Sequence, residues 1–377
     1  MSKLPARILF LFSDTGGGHR SAAQAIIEAL NQKFGDQIVS KMVDIFKEYA
    51  PPPLNRAPDW YPWMVRIPQI WGISYHISDG YLRARLVNKG YWFYIRKAIK
   101  SLFTQHPCDL IVSVHPLAIA PTIHTLGENR PRFVTVVTDL VSTHALWFHP
   151  QVDLCIVPTQ EAKQRALIFN MKPEQVRVVG LPVAESFCIN HGDKTSLRRR
   201  LGLPLDFPVV LLVGGAQGMG PIESVARTIA TSSLPITLVI ITGRNIGLRK
   251  RLQSQEWQYP TLVYGFVEQM AEFMQAADIL LTKAGPGTIC EALNCGLPMI
   301  IYSHLPGQED GNISYVVQKG AGIWAPQPEM IVNALRGWLD NPDEYAKAVQ
   351  ACRRIARPEA AGQIADLLAK FINLDST

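Results

Sequence analysis

The chain has 377 residues, of which 47% are hydrophobic and 18% are charged, and its formal net charge is +6. This length is comfortable for two domains, and the composition is that of a soluble globular protein. No uninterrupted apolar run reaches the roughly 18 residues that a membrane-spanning helix needs, and we expect no secretory signal because the N-terminus runs straight into a strand.

Apolar runs and helical segments alternate along the first half of the chain. Residues 21–34 are predicted to form a helix, because apolar side chains recur near the 3.6-residue period. The alternation predicts a parallel sheet with helices on its faces. The predicted strands are residues 7–12, 37–46, 109–114, 133–137 and 154–157.

Residues 60–108, here called the basic-aromatic stretch, concentrate the positive charge of the chain. They hold seven basic residues and one acid, Asp79, together with 11 aromatic residues. Prolines at 58, 62 and 68 predict an irregular loop, and a partial helix over residues 81–103 is predicted to be interrupted at Gly90. Such a surface suits an anionic membrane, although it could also stack nucleic-acid bases or combine core residues with a solvated basic face. The predicted membrane contacts are Trp60, Trp63, Arg83, Arg85, Lys89, Trp92, Arg96 and Lys97.

The second half repeats the alternation after a polar, loop-like boundary at residues 180–195. A helix is predicted at residues 197–201 and another from Ile222, and the tail is predicted to be helical with Pro358 between its last two segments. The predicted strands are residues 209–213, 237–241, 261–264, 278–281 and 299–302.

Two glycine-rich turns follow apolar strands, one in each half. The first is Asp-Thr-Gly-Gly-Gly-His-Arg-Ser at residues 14–21, and the second is Lys-Ala-Gly-Pro-Gly-Thr at residues 283–288. Such a turn lets backbone N–H groups and the positive end of a helix meet an anion or a polar ligand. Neither spacing matches the Walker pattern or G-x-G-x-x-G, so the turns alone predict only a site in a cleft between two α/β domains.

Other short motifs accompany these turns, among them Ser-Val-His-Pro at residues 113–116 and Gly-Leu-Pro at residues 180–182. The full set is residues 13–20, 113–116, 138–140, 180–182, 218–222, 242–245, 282–288, 307–309 and 311–312. In this order the motifs resemble those of the monogalactosyldiacylglycerol synthase family. That family belongs with the glycosyltransferases that add N-acetylglucosamine to lipid I or glucose to diacylglycerol. Gly-Ala-Gln-Gly at residues 215–218 departs from the plant pattern and lacks one of its carboxylates.

The resemblance implies an α/β fold of the GT-B class, with two Rossmann-like domains whose parallel sheets face each other across a cleft. Residues 1–186 are expected to bind acceptor and membrane, and residues 187–357 to bind the UDP-sugar. Residues 358–377 are expected to form a tail helix that packs back on the N-terminal domain. Inversion at the anomeric carbon, without a metal or other cofactor, is also implied, and the sequence has no Asp-x-Asp motif.

His19 is the candidate general base. An inverting displacement needs one base for the acceptor hydroxyl, and an imidazole that titrates near neutrality suits this task. Without the resemblance, a histidine that only caps its helix would be the simpler interpretation. Asp139 is predicted to orient a histidine or to act in its place.

The predicted donor site lies in the second half of the chain. In the related enzymes the residue matching Glu291 binds the ribose, and the pair matching Gln308 and Glu309 reads the sugar hydroxyls. Phe266 is predicted beside the uracil, or else in the core, and Arg244 beside a phosphate, or else in solvent. Simple turn geometry is the alternative for the remaining predicted donor contacts, which are Gly214, Gly215, Gly285, Gly287 and Thr288.

The predicted acceptor or cleft residues come mainly from the first half. His115 closes a strand and precedes a proline, so a core histidine with satisfied hydrogen bonds is its alternative interpretation. The full predicted set is Gly17, Gly18, His115, His144, Gly218 and Met219.

These implications predict transfer of galactose from UDP-galactose to diacylglycerol, which would give a β-galactolipid. The alternatives are UDP-glucose with the same acceptor, UDP-N-acetylglucosamine with a polyprenyl lipid, or a non-catalytic GT-B scaffold that binds lipid or nucleic acid. The expected partners are a UDP-sugar donor, diacylglycerol and an anionic membrane surface, and no nucleic acid is expected.

The expected location is cytoplasmic, peripheral on the inner face of the cell membrane. Six scattered cysteines without a C-x-x-C pair predict free thiols in a reducing compartment. The plant members of the family carry an extended N-terminus that this chain lacks, so we expect no plastid import.

Overall fold

The structure, a computed structural model, describes residues 4–15, 17–64 and 67–374, apart from the side chains of residues 61–64. The chain divides into two compact units. The first comprises Met1–Glu185, Leu305–Gln308 and Glu359–Thr377, and the second comprises Ser186–His304 and Glu309–Pro358. The predicted bounds did not assign the loop at Leu305–Gln308 to the first unit. The acceptor and donor roles of the two domains stay a prediction.

The first unit contains a parallel sheet of β1 (Ala6–Phe12), β2 (Ile38–Asp44), β3 (Leu110–Ser113), β4 (Arg132–Val136), β5 (Leu154–Val157) and β6 (Val176–Val178). The strand order is β2-β1-β3-β4-β5-β6. Both faces are buried, since Ile8 and Phe10 pack in one core while Leu9 and Leu11 pack in the other. Burial on both faces explains why these strands are continuous apolar runs.

The second unit contains a parallel sheet of β7 (Val209–Val213), β8 (Thr237–Ile241), β9 (Thr261–Tyr264), β10 (Ile279–Lys283), β11 (Met299–Ser303) and β12 (Gly322–Trp324). The strand order is β12-β11-β10-β7-β8-β9, which is that of a doubly wound Rossmann sheet. The predicted α/β class with two parallel sheets is confirmed. Sequence reasoning missed β6 and β12, because three residues are too few to show a periodic pattern.

The helices lie between and around these strands. In chain order they are α1 (Gly18–Phe34), α2 (Ala57–Met64), α3 (Pro68–Ser78), α4 (Tyr81–Gln105), α5 (Ile119–Leu126), α6 (Gln160–Ile168), α7 (Lys194–Leu201), α8 (Ile222–Ala230), α9 (Ile246–Gln253), α10 (Met270–Ala276), α11 (Pro286–Asn294), α12 (Asp310–Gln318), α13 (Pro328–Asp340), α14 (Pro342–Ile355) and α15 (Ala360–Phe371).

Helix α1 begins earlier than predicted. Its first residue is Gly18, and Gly17 precedes it in a left-handed conformation with φ of 81°. The carbonyl of Gly17 accepts a hydrogen bond from the N–H of Ser21 at 3.1 Å. His19 therefore lies inside the first helical turn, where backbone N–H groups point outward without intrahelical partners.

Most described residues of the basic-aromatic stretch are helical, so the predicted irregular loop is wrong. Pro58 and Pro68 lie in the first turns of α2 and α3, where a proline displaces no intrahelical hydrogen bond. The predicted interruption at Gly90 is also wrong, because α4 continues through it. A single glycine costs a helix only about 1 kcal/mol, which packing on the sheet offsets.

Two other segments complete the first unit. The predicted strand at residues 37–46 ends at Asp44, whose carboxylate accepts from the N–H groups of Phe46 and Lys47 at 3.0 Å and starts a helical turn instead. Helix α15 packs on α1, where the ammonium group of Lys33 lies 2.7 Å from the carboxylate of Asp366. Among the described residues, every helix is too short or too polar to span a bilayer.

Candidate active site

Each sheet has one position at which the loops after two neighbouring strands turn in opposite directions. Several site residues predicted from the sequence follow these strands. In the first unit β1 pairs with β3, so the segments after these strands, which carry His19 and His115, are neighbours. In the second unit β7 pairs with β10, which brings together the glycine-rich turns after Val213 and Lys283. Ligands of open α/β sheets bind at such positions, outside the carboxyl ends of the strands.

His19 lies against polar and aromatic neighbours. Its Nδ1 is joined by a 2.9 Å hydrogen bond to the hydroxyl of Thr138, just after β4. Its ring centroid lies 4.7 Å from that of His115 and 6.0 Å from that of Trp147. Burial lowers the pKa of His19 from 6.5 to about 4, against a smaller opposing effect of a hydrogen bond with the backbone of Val114.

Burial thus moves the pKa of His19 well below the near-neutral value of an ordinary imidazole. Loss of water around the ring disfavours the imidazolium form, so the imidazole is neutral across the physiological range. A neutral ring can accept a proton, but with a pKa near 4 it is a weak base. Proton transfer to His19 would have to accompany bond formation at the acceptor oxygen, which makes that hydroxyl more acidic.

His115 is almost fully buried beside His19. Its Nε2 lies 3.2 Å from the hydroxyl of Thr15, and its ring meets that of Phe46 edge-on at 5.4 Å. Burial and the neighbouring His19 lower its pKa well below 6.5. Among the described residues its Nδ1 has no hydrogen-bond partner, so only one ring nitrogen is satisfied.

Asp139 is buried and accepts hydrogen bonds from a nearby tryptophan and from a residue 169 positions away. The indole N–H of Trp147 donates to Oδ2 at 2.6 Å, and the amide of Gln308 donates to Oδ1 at 3.0 Å. These contacts place Gln308 beside the predicted acceptor residues of the first unit, whereas the resemblance assigns it to the donor sugar. Both assignments stay predictions.

His144 is engaged in local structure. Its Nδ1 accepts from the N–H of Leu146 at 3.1 Å, and its Nε2 lies 3.1 Å from the hydroxyl of Ser78. The ring also meets that of Tyr75 edge-on at 4.8 Å. These contacts explain the buried histidine without a ligand, and its predicted cleft role gains no support from them.

The glycines after β7 are explained by close backbone approach. A Cβ at Gly214 would lie 2.2 Å from the carbonyl oxygen of Met219, whose N–H donates back to Gly214 at 2.8 Å. Gly215 and Gly218 have φ of 70° and 58°, in the left-handed region that favours glycine. Turn geometry alone thus accounts for Gly214, Gly215 and Gly218, and their ligand contacts stay a prediction.

The second glycine-rich turn carries a charged pair that sequence reasoning missed. The ammonium group of Lys283, at the end of β10, lies 2.5 Å from the carboxylate of Glu309, which is nearly inaccessible to solvent. A Cβ at Gly285 would lie 3.0 Å from the Lys283 ammonium nitrogen. The turn leads into the first turn of α11, which contains Gly287 and Thr288. The sequence signal for this pair was a lysine within a glycine-rich turn of the type that binds anions.

Glu291 lies in the second turn of α11 and is half-buried. Burial raises the pKa of its carboxyl from 4.5 to about 7, because a charged carboxylate loses water there. The group is therefore divided between its neutral and charged forms near neutral pH, and a ligand that donates hydrogen bonds would favour the charged form.

Phe266 follows β9 and is 54% exposed, which excludes the alternative that it belongs to the core. The guanidinium group of Arg244 stacks over its ring at 4.9 Å. A flat, exposed pair of this kind can take another planar group by stacking. The contact with uracil stays a prediction.

Helices α3 and α4 present an apolar and basic surface. In α4, Arg83, Arg85, Lys89, Arg96 and Lys97 are exposed, and Trp60, which lies in α2, is 43% exposed. Trp92 is half-buried, and its indole N–H donates to Thr125 at 3.1 Å. Trp63 lies in α2, but its side chain is outside the described residues. Sequence reasoning missed the apolar members of this surface, which are Ile70, Ile73, Ile77, Leu82, Leu86 and Phe93.

The single acid of the basic-aromatic stretch anchors this surface. The carboxylate of Asp79 accepts from the N–H of Ala145 at 2.9 Å and forms an ion pair with Arg165. Because Asp79 is engaged in the fold, the exposed basic residues around it are not neutralised by it.

Within residues 4–15, 17–64 and 67–374, no group of three or more His, Cys, Asp or Glu side chains is arranged to hold a metal ion. Metal independence of the reaction stays a prediction.

Solved structures resemble the chain over nearly its whole length. A Staphylococcus aureus MnaA–UDP co-structure has a TM-score of 0.67 at 14% identity and covers 99% of this chain and 98% of its own. MurG of Acinetobacter baumannii has a TM-score of 0.61 at 15% identity, with 97% and 100% coverage. Similarity at this identity concerns the fold alone, and it confirms the predicted GT-B class.

Sequence comparisons give closer relatives. The chain is 39% identical over 375 residues to monogalactosyldiacylglycerol synthase 3, chloroplastic, of Arabidopsis thaliana, covering 95% of this chain and 79% of that protein. It is 39% identical over 380 residues to a probable monogalactosyldiacylglycerol synthase, chloroplastic, of Nicotiana tabacum, with 96% and 70% coverage. The predicted location on the inner face of a cell membrane is wrong by this comparison, because these relatives are named as chloroplastic proteins.

Family models divide the chain in the same way. Residues 19–183 match the model for monogalactosyldiacylglycerol (MGDG) synthase, and residues 209–364 match the glycosyltransferase family 28 C-terminal domain. The predicted enzyme class, a hexosyltransferase, is confirmed by these matches. Because relatives with 39% identity are covered over 70% or more of their length, the chain belongs to the monogalactosyldiacylglycerol synthase family.

Proposed function

We propose that the chain is an inverting transferase that moves galactose from UDP-galactose to the free hydroxyl of 1,2-diacylglycerol. The observation that carries this proposal is the family membership, since galactosyl transfer to diacylglycerol is the activity for which the family is named. UDP as the carrier is supported by the glycine-rich turns after β7 and β10. These turns and the Glu291 carboxyl lie at the point where the loops of the second sheet diverge.

On the acceptor side, His19 accepts the proton of the diacylglycerol hydroxyl. The hydroxyl oxygen forms a bond to the anomeric carbon from the side opposite UDP, and the bond between that carbon and the diphosphate breaks. Because burial keeps the imidazole neutral, no proton has to be removed from it first. The hydrogen bond between the Thr138 hydroxyl and Nδ1 fixes the orientation of the ring.

On the donor side, the negative charge that develops on departing UDP is met without a metal. The second glycine-rich turn, the N-terminal end of α11 and the ammonium group of Lys283 supply positive potential at one place. Glu291 accepts hydrogen bonds from the ribose, and Glu309 accepts from the sugar hydroxyls. UDP-glucose in place of UDP-galactose stays the nearest alternative, because the two sugars differ by the orientation of one hydroxyl.

The acceptor is a membrane lipid, and the surface of α3 and α4 suits its environment. Exposed Leu86 and Phe93 lie among exposed Lys89, Arg96 and Lys97 on the side of α4 that faces away from its buried residues. A helix of this kind lies in the interface of an anionic bilayer, with apolar side chains among the acyl chains and basic ones at the headgroups.

The identity of the product tests the proposed reaction. Purified protein with diacylglycerol-containing vesicles, UDP-galactose and excess EDTA should form β-monogalactosyldiacylglycerol, because charge on the leaving group is met by protein groups. UDP-glucose and UDP-N-acetylglucosamine, supplied in turn, are the controls, and the product lipid is identified by mass and linkage. Faster transfer from UDP-glucose would overturn the donor assignment, and activity restored only by Mg²⁺ or Mn²⁺ would overturn metal independence.

Replacing His19 with alanine should lower single-turnover transfer by about 10²–10⁴-fold, since this is the typical contribution of a positioned base. UDP affinity and the melting temperature should stay near the wild-type values. The matched control is His106→Ala, which removes a histidine that caps α4 and contacts Tyr49. This variant should transfer galactose normally. Near-normal turnover in His19→Ala would make Asp139 the first candidate for the base, and early melting with lost UDP binding would make His19 structural.

Charge on α4 should decide vesicle binding. Changing Arg83, Arg85, Lys89, Arg96 and Lys97 to glutamine should weaken binding to anionic vesicles, and the remaining binding should depend less on salt. UDP affinity should not change. The matched control removes the same charge from exposed lysines elsewhere, namely Lys41, Lys172, Lys319, Lys347 and Lys370. Equal loss of vesicle binding in both variants would show that net charge, and not this surface, determines binding.

The affinity for the donor should depend on pH through Glu291. With a carboxyl pKa of about 7, roughly one tenth of the protein is ionised at pH 6, so UDP-galactose affinity should be about tenfold lower at pH 6 than at pH 8. Binding below pH 7 should release a proton, because ribose hydroxyls favour the carboxylate. Calorimetry in buffers of different ionisation enthalpy measures both effects. Glu291→Gln should bind more weakly at pH 8 and lose the pH dependence, and an unchanged dependence in this variant would assign it to another group.

A further inference from the structure

Gln308 stands at the end of a tightly packed loop. A Cβ at Gly72 would lie 2.8 Å from the Cβ of Pro306, and a Cβ at Gly307 would lie 2.7 Å from the ring of Tyr75. Helix α3 therefore touches the two residues before Gln308 and leaves no space for another methyl group. The backbone of Gln308 is held by its neighbours, and only its side-chain torsions set the direction of the amide.

The amide of Gln308 has two unlike ends, and the structure fixes which end faces Asp139. The amide nitrogen donates to Oδ1 of Asp139 at 3.0 Å, and the indole N–H of Trp147 donates to Oδ2 at 2.6 Å. An indole nitrogen can only donate, and a carboxylate can only accept. Both oxygens of Asp139 are thus matched to donors, and the amide carbonyl of Gln308 has to face elsewhere.

The carbonyl oxygen of Gln308 is buried and, among the residues that the structure describes, has no hydrogen-bond partner. A buried acceptor without a donor costs free energy, so each such atom in a native fold calls for a partner such as a ligand, an ion or water. Neighbouring side chains commonly change rotamer when a binding partner arrives, so the burial of this atom does not keep a hydroxyl away.

The three side chains lie beside the proposed base. The ring centroid of Trp147 lies 6.0 Å from that of His19, and the hydroxyl of Thr138, the residue before Asp139, shares a 2.9 Å hydrogen bond with His19. The network of Gln308, Asp139 and Trp147 therefore borders the group to which proton transfer is assigned.

We propose that Asp139 and Trp147 are positioning residues that fix the polarity of Gln308, so that its carbonyl accepts a hydrogen bond from one hydroxyl of the transferred galactose. The inference rests on the proposed function, because it takes its ligand from the proposed reaction, in which the next residue, Glu309, also accepts from the sugar. Gln308 then selects a hydroxyl that donates, and Asp139 acts on the sugar only through this amide.

Asp139→Asn should reverse this polarity without changing the size of the side chain. The indole N–H of Trp147 can meet only the carbonyl of the new amide, so the NH2 group of that amide faces Gln308. Gln308 then has to turn its own carbonyl toward position 139, and its NH2 group faces the sugar. Adding Gln308→Glu restores the original polarity, because one carboxylate oxygen accepts from the new amide while the other faces the sugar.

The test measures how much the affinity falls when fluorine replaces one galactose hydroxyl at a time, here called the fluorine penalty. UDP-galactose, its fluorinated analogues and UDP are titrated by calorimetry, because fluorine can accept a hydrogen bond but cannot donate one. At the position read by Gln308, the penalty in the wild-type protein should be about tenfold, which is the range of one lost hydrogen bond. Asp139→Asn should reduce this penalty to about threefold or less, and the double variant should restore it.

Several controls accompany this measurement. A hydroxyl read by Glu309 should keep its penalty in both variants, and UDP affinity and the melting temperature should stay near the wild-type values. Asp366→Asn removes a carboxylate that is paired with Lys33 elsewhere in the first unit, and it should keep every penalty. Binding is measured without acceptor, so the result does not depend on which group takes the acceptor proton.

A second variant decides the inference if Asp139→Asn melts early. Gln308→Met keeps the length of the side chain and removes both ends of the amide. It should lose the fluorine penalty at the same single position, and a full set of penalties in this variant would overturn the inference.

The other outcomes are equally distinct. Fluorine penalties in a folded Asp139→Asn that stay unchanged, or that change alike at every position, would overturn the inference. A raised KM for diacylglycerol with unchanged penalties would assign the carbonyl to the acceptor and overturn its assignment to the sugar. Wild-type protein that shows the expected penalties but forms no galactolipid would contradict the proposed reaction alone, and protein that binds UDP but not UDP-galactose would overturn both.

Discussion

Both halves of the molecule depend on one constraint of parallel sheets. Each crossover returns to the same end of the sheet, so loops at the carboxyl ends separate only where the strand order changes direction. In the first unit this point lies between β1 and β3, and in the second between β7 and β10. His19 and His115 flank the first point, and the glycine-rich turns with Lys283 flank the second. The residues proposed to carry the reaction thus lie at the two places at which this fold leaves room for a ligand.

Removal of water sets the charge state of the groups at these places. The same burial lowers the pKa of the His19 imidazole to about 4 and raises that of the Glu291 carboxyl to about 7, because each group loses stabilisation of its charged form. Charge persists in this environment where it is paired, as in Lys283 with Glu309. The first unit therefore holds a neutral ring at its divergence point, whereas the second holds a lysine that is paired with a carboxylate.

Much of this architecture could be predicted from the sequence, because strands buried on both faces are continuous apolar runs. The predicted strand at residues 209–213 and the helix start at Ile222 agree with β7 and α8. The starts of α2 and α3 could not be predicted from Pro58 and Pro68, since a proline in a first turn and a proline in a loop look alike in sequence. The contacts of Asp139 with Trp147 and Gln308 join residues up to 169 positions apart, and only the folded chain brings them together.

The exposed isoleucines of α3 and the apolar residues of α4 have a consequence for the protein away from lipid. Exposed apolar side chains on two touching helices attract others of their kind in water, and monomeric proteins seldom leave large apolar patches uncovered. Exposed Ile70, Leu82 and Phe93 therefore favour self-association of the purified protein, and detergent competes with it. The hydrodynamic size in lipid-free buffer should accordingly vary with protein concentration and with detergent. A sedimentation measurement made without detergent therefore includes association through these apolar residues as well as the native assembly.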